Sequence, residues 1–163
     1  MQIKNQSGFT MLELVLSIVI LMILAIIGTL GMINVVDGYR FAADNAELSQ
    51  KAEAALMRMA AEFPFIIAGG VQPSSNATRI SYRADFGSGQ ESHTINISGS
   101  QVQLDNRTLT DIVDGGGFQV LYLASDGTTQ VQPALSRIIQ VALTLRGNNN
   151  VAKTFTTRLA LRN

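Results

Sequence analysis

The chain has no cysteine among its 163 residues and a single histidine, His93. The first absence excludes disulfides, thiolate metal sites and cysteine nucleophiles. The second leaves no material for a multi-histidine metal centre, and any histidine-based triad would have to be built on His93 alone. Proline is scarce, with three in the chain, and none lies between Glu13 and Asp37. Net charge is also missing: twelve basic side chains balance twelve acidic ones. The basic residues are spread from Lys4 to Arg162 without a dense run, so nucleic acid is not expected as a partner. A domain without crosslinks must be held by its core, and roughly 100 residues are enough for one.

What is present begins at the N-terminus. From Leu14 to Val36 there is no charged side chain, and Leu, Ile, Val and Met dominate. About 20 such residues in a helix span a hydrocarbon core. Glu13 sits at the lip of this run, where an ionisable group is costly unless it has a function. Lys4 and the terminal amine lie on one side and Asp37 on the other. Positive-inside logic then places the N-terminus in the cytoplasm and the C-terminal domain across the membrane. A secretory signal peptide would be cut after the run, and Ala42-Ala43 is only a weak candidate for that. A plain signal anchor explains the run but leaves Glu13 and the Gly8-Phe9-Thr10 before it unexplained.

Gly8-Phe9-Thr10-Met11-Leu12-Glu13-Leu14-Val15 resembles the prepilin signature of type IV pilins and of the pseudopilins of type II secretion. The resemblance implies a leader, Met1 to Gly8, removed by a membrane-embedded prepilin peptidase. The cut falls between Gly8 and Phe9, and Phe9 becomes an N-methylated terminus. It also implies that Glu13 is an assembly contact, meeting the ammonium of a neighbouring subunit when helices stack. Many major pilins carry a proline within the apolar run. This run has none and instead has Gly28 and Gly31, which each weaken a helix by about 1 kcal/mol relative to Ala. That departure leans toward a minor pilin or pseudopilin. For the two glycines themselves, local loosening of the helix and close helix–helix packing are equally good readings.

The helix is expected to run from Thr10 to Phe63, about 80 Å at 1.5 Å per residue. Phe41, Asn45, Leu48, Ala52, Leu56, Met59 and Phe63 recur every three or four residues, an apolar stripe that needs a partner surface. Met57, Met59 and Phe41 are expected in the core. Glu47 and Lys51 form a favourable i,i+4 pair, and Pro64 marks the end. Beyond a loop at Val71–Asn76 the period changes to two. Strands are expected at Arg79–Asp85, Thr94–Ser98, Gln101–Leu104, Phe118–Ala124 (buried on both faces), Ile139–Leu145 and Phe155–Leu161, with turns at Gly99-Ser100, Ser125–Gly127 and Gly147–Asn150. Short turns between consecutive strands imply an antiparallel sheet, hence an α+β, pilin-like fold with a long N-terminal helix on a C-terminal sheet. The last hairpin, ending Thr156-Thr157-Arg158-Leu159-Ala160-Leu161-Arg162-Asn163, resembles the C-termini of minor pilins related to the J-type pseudopilins.

Other constellations carry less. Asp111, Asp114 and Gly115–Gly117, with Asp126, fall short of the six to eight oxygens calcium requires; a solvated loop before a strand is the expected state, and no metal site is assigned. No Gly-Lys-Ser/Thr follows the glycines, so they are not a phosphate loop. His93, beside Glu91 and Ser92, is read as a strand start without a catalytic role. Asn76, Asn96 and Asn106 head sequon-like triplets without expected significance in a bacterium. Arg79, Arg83 and Arg107 are expected on a solvated sheet face rather than against an anionic partner.

The organisation expected is a leader at 1–8, a membrane and assembly half of the helix at 9–36, an amphipathic half at 37–67 and a periplasmic β-rich domain at 68–163. No enzymatic activity and no cofactor are expected. The expected partners are prepilin peptidase, other pilin or pseudopilin subunits, the inner-membrane assembly platform and, before assembly, membrane lipid. The expected location is the bacterial inner membrane and then a filament. A major pilin of an adhesion or motility fibre, or a signal-anchored domain of unrelated function, are the alternatives.

Overall fold

A computed structural model of the chain describes residues 10–147 and 150–161. Helix α1 runs Met11–Glu62. It ends there because Pro64, inside a short 3-10 turn at Phe63–Phe65, cannot donate a helical hydrogen bond and disfavours α geometry in the residue before it. Eight strands follow: β1 Ile66–Val71, β2 Arg79–Asp85, β3 Gln90–Ser98, β4 Gln101–Leu104, β5 Arg107–Thr110, β6 Val113–Leu123, β7 Ile138–Arg146 and β8 Ala152–Ala160. The chain divides into two compact units, Met1–Ala42 and Ala43–Asn163.

In the first unit the helix is apolar all round, and its large side chains, such as Leu16, Leu24 and Ile33, are exposed. Among the described residues it is the one helix long and apolar enough to cross a membrane. An all-round apolar helix is stable only inside a membrane or a protein core.

In the second unit the helix has one buried stripe: Leu48, Ala52, Ala55 and Met59, continued by Glu62 and by Phe63 in the turn. The expected stripe is therefore right at Leu48, Ala52, Met59 and Phe63. Leu56 is only half-buried and packs at the core's edge. Met57 and Phe41, expected inside, are 69% and 51% exposed. Met57 lies two residues from each of the stripe positions Ala55 and Met59, which turns it away from their face.

The strands form two antiparallel sheets rather than one. β1-β2-β3-β4-β5 is a five-stranded meander, and β6-β7-β8 is a second, three-stranded sheet. Ile80, Tyr82, Ile95 and Val102 from the first, and Phe118, Val120, Ile139, Val141 and Leu143 from the second, join the helix stripe in one hydrophobic core. The β1–β2 loop couples the sheets: the Val120 amide donates to the Ala77 carbonyl at 2.8 Å, and the Tyr122 hydroxyl donates to the Arg79 carbonyl at 2.8 Å.

The α+β pilin-like architecture agrees with the expectation from sequence. Arg79–Asp85 and Gln101–Leu104 occur with the expected ends, and Ser98 pairs with Gln101 across the Gly99-Ser100 turn. Gly99 has φ +62°, which suits the first position of a two-residue hairpin loop. β1 and β5 are strands that the sequence reading does not assign. β5 follows a two-residue turn in which Asp105 and Asn106 both have positive φ, 48° and 66°, as a type I′ turn demands. β6 is buried on one face only, with Phe118, Val120 and Tyr122 in and Gln119 and Leu121 out. It also starts at Val113, so Asp114–Gly117 is strand and not a loop before one.

That misreading has a structural cause. Val113 pairs with Leu145 and Phe118 with Leu143, so residues 114–117 all stand opposite Thr144. β1 repeats the arrangement: Ile66 pairs with Ala84 and Val71 with Tyr82, leaving 67–70 opposite Arg83. Gly116 and Gly69 take φ +73° and +68°. A Cβ on Gly117 would lie 2.5 Å from the Thr144 carbonyl oxygen and 2.8 Å from that of Asp114; on Gly70 it would lie 2.7 Å from those of Arg83 and Ile67. Both strands therefore bulge at a glycine pair: the first glycine supplies the left-handed turn and the second lets two backbones approach. Gly117→Ala should lower stability by about 1–3 kcal/mol, or about 2–4 °C of Tm per kcal/mol. Gly115→Ala, where a Cβ meets nothing within 4 Å, should leave Tm nearly unchanged. Thermal unfolding of the full chain in detergent micelles compares them.

Candidate functional site

The first turn of α1 is built on Thr10. Its carbonyl accepts from the Leu14 amide at 3.1 Å and its hydroxyl accepts from the Glu13 amide at 3.3 Å. Thr10 thus caps the helix, and Glu13 occupies the third helical position, the spacing Thr-x-x-Glu of a capping box. Glu13 is the acidic residue of the first turn, where the unpaired amides and the helix dipole favour a carboxylate. This cap is not among the expectations from sequence, although the Thr10-x-x-Glu13 spacing carries it. The Ser17 hydroxyl donates back to the Glu13 carbonyl at 2.7 Å, so this polar side chain is satisfied within the apolar helix. Gly8 and Phe9, the expected cleavage and methylation positions, lie outside the described residues.

His93 is not at a strand start. It lies inside β3, opposite Tyr82, and faces the core. Its Nδ1 is 2.5 Å from an Asp105 carboxylate oxygen, and the other Asp105 oxygen accepts from the Thr94 amide at 2.7 Å. The imidazole packs against the rings of Tyr82 and Phe86 at 5.6 and 5.5 Å. Of the neighbours named from sequence, only Glu91 approaches, at 3.9 Å; Ser92 turns to the opposite face, beside Arg83. On the helix side, Arg58 pairs with the nearly buried Glu62 at 3.0 Å. Burial first, and then the Glu62 and Asp105 charges, push the Tyr82 phenol far above its ordinary value. The Tyr82 hydroxyl and His93 Nε2 are buried without a hydrogen-bond partner among the described residues.

The acidic stretch is consumed by ion pairs. Asp111 binds Lys51 at 3.0 Å, and Lys51 also binds Glu47 at 3.0 Å. Asp114 accepts from Arg146 through both oxygens, at 2.9 and 2.8 Å, and this holds its carboxyl below the usual range. Asp126 accepts from the Thr128 and Thr129 amides and lies in a separate turn; those bonds and the Thr129 hydroxyl depress its pKa. The three aspartates do not converge. Arg79 and Arg83 share the outward face of β2, opposite Asn96 and Ser92, whereas Arg107 pairs with Leu104 and faces the other way.

Residues 3–29 match the family model described as the prokaryotic N-terminal methylation motif. No curated protein and no solved structure matches the chain. The matched segment is about a sixth of the chain and contains Gly8, Phe9, Thr10 and Glu13. It supports a type IV pilin-like protein, a structural class, in which prepilin processing and assembly with other pilins go with the motif.

Asp114 and Asp126 both have depressed pKa values, so their contributions to stability are present above the unfolded carboxylate value of about 3.9 and are lost as pH falls through the lower folded values. Stability should therefore drop on acidification below about pH 4. Asp114→Asn should weaken that drop and lower Tm at neutral pH while leaving the Asp126 part. Tm against pH for the two chains checks the sign.

Proposed function

We propose that this chain is a minor pilin or pseudopilin, a structural subunit of a type IV pilus or a type II secretion pseudopilus that takes a place in its tip or initiation complex. The observation that carries the reading is the match of residues 3–29 to the methylation motif, at the head of a membrane-length helix with one carboxylate, Glu13, in its first turn. In this proposal the subunit enters the inner membrane through α1, with its C-terminal domain in the periplasm. Prepilin peptidase cuts between Gly8 and Phe9, the new amine of Phe9 is methylated, and the assembly platform passes the subunit into the filament.

Cleavage creates an ammonium on Phe9, one helical turn before Glu13. When helices stack with an axial offset, the Glu13 carboxylate of one subunit meets the ammonium of its neighbour. Losing one partner of such a buried pair costs about 3–5 kcal/mol, so the pair checks register at each addition. The absence of proline from α1, whose helix continues through Gly28 and Gly31, favours a minor component over a fibre's bulk subunit.

N-terminal sequencing of the mature protein should begin at N-methylated Phe9; a chain beginning at Met1 overturns the proposal. Glu13→Gln keeps a side chain able to complete the capping box but removes the charge. That variant should be cleaved normally and be at least tenfold depleted from sheared filaments. The wild-type subunit should itself be sparse in those filaments, and an abundance equal to the fibre's bulk would make it a major pilin.

A further inference from the structure

Between α1 and the strands β3–β5 lies an open groove of about 880 Å³. Its helix wall carries Arg58 and Glu62, and its sheet wall carries His93, Asp105 and Arg107. Each carboxylate here has an internal cation or imidazole partner: Glu62 has Arg58, and Asp105 has His93. Arg107 has no ion-pair partner among the described residues. Among the described residues it is the one cation of the groove without an ion pair.

The groove also runs along an unpaired strand. β5 is the last strand of its sheet and pairs only with β4. Among the described residues no backbone hydrogen bond reaches its other side. Two of the other edges are covered: β1 lies against the 3-10 turn at Pro133–Leu135, and β6 receives Ala77 and Val131 through backbone hydrogen bonds. β8, the outer strand of the second sheet, is an open edge too, but it does not line this groove. In a two-residue hairpin the residues flanking the turn, Leu104 and Arg107, bond to each other. The next residue, Thr108, then directs its amide and carbonyl outward. Beyond it the pairing bulges, with Thr108 opposite Gln103 and Thr110 opposite Val102, so the regular alternation offers the outward groups of Thr108 alone. An outward amide and carbonyl on an edge are satisfied by another extended chain, and a neighbouring free guanidinium selects a carboxylate. Phe86, 42% exposed, closes one end against His93, and the groove's inner wall holds His93 Nε2, which has no hydrogen-bond partner among the described residues.

We propose that this groove binds an extended acidic segment of a partner polypeptide, which adds to the β5 edge and places a carboxylate on Arg107. The site is independent of the N-terminal motif and of the assembly role proposed above.

His93 is the chain's sole histidine, so its imidazole resonances report on the groove without assignment ambiguity. The full chain in detergent micelles is titrated with the peptide acetyl-TETET-amide, followed by ¹H–¹⁵N NMR of the imidazole. A saturable shift is expected, with affinity at least tenfold weaker for acetyl-TQTQT-amide and no shift for acetyl-TKTKT-amide. Arg107→Gln should weaken the acidic peptide at least tenfold, whereas Arg79→Gln, on the opposite face of the sheet, should not. A backbone N-methylated acidic peptide should fail to bind. Equal binding of the three sequences, or no effect of Arg107→Gln, overturns the carboxylate site. Equal binding of the N-methylated peptide, or of glutarate alone, overturns addition of a polypeptide strand.

Discussion

Neither sheet of this protein can bury its inner face without the helical stripe from Leu48 to Phe63. A three-stranded sheet and a five-stranded meander each present one apolar side, and both sides join Leu48, Ala52, Ala55, Met59 and Phe63 in a single core. Fully burying a side chain of the size of Leu, Met or Phe stabilises by about 1.5–3 kcal/mol, and truncating one to Ala costs about 2–5 kcal/mol. The same helix that carries the membrane-length run thus supplies the centre of the folded unit, and the loss of its second half would expose both sheets at once.

The sheets reach around this stripe by the same device. Each opens with a strand in which four residues oppose one, at Gly69-Gly70 and at Gly116-Gly117. A regular strand would stay straight, while a bulge bends it and increases its twist. In β6 the bulge is tied from outside: Asp114 reaches Arg146, and Arg146 also bonds the Asn150 side chain at 2.7 Å. Lys51 ties the segment just before it to the helix through Asp111. The acidic, glycine-rich stretch that looked like a candidate cation loop is in this way a piece of architecture, with its carboxylates neutralised by fixed cations.

What could be read from the chain, and what could not, follows from how local each signal is. The apolar run, the Pro64 stop, the Gly99-Ser100 hairpin and the alternation of β7 are written within a few residues, and they stand in the structure. β1 and the start of β6 were hidden because a glycine pair reads as a breaker unless its partner strand is known. β5 is four residues long, with a single apolar residue, Leu109, and only its Asp-Asn turn announced it. Met57 and Phe41 are apolar yet exposed, because which face of a helix is buried is decided by the partner surface. The His93–Asp105 pair was out of reach, since it spans a hairpin whose register had to be known first. Thr10 with Glu13 is fully local: a hydroxyl three residues before a carboxylate, at the head of an apolar run, is the spacing of a capping box.

That spacing bears on why Glu13 stands where it does. A capped, dipole-facing carboxylate at the third position of a helix gains about 0.3–1 kcal/mol. Placing a charged side chain at the bilayer centre costs at least about 2.5–3.5 kcal/mol. The local gain is too small to carry the charge into hydrocarbon, so a lone helix keeps its first turn at the interface, and Glu13 sets its depth. Withdrawing that helix from lipid into a bundle of like helices then requires a cation to travel with the carboxylate. In the assembly proposed here only the amine freed at Phe9 meets that need, because from Leu14 to Val36 the chain offers no basic side chain. Under that proposal processing and packing are coupled through one charge: an uncut subunit has the carboxylate but not its partner.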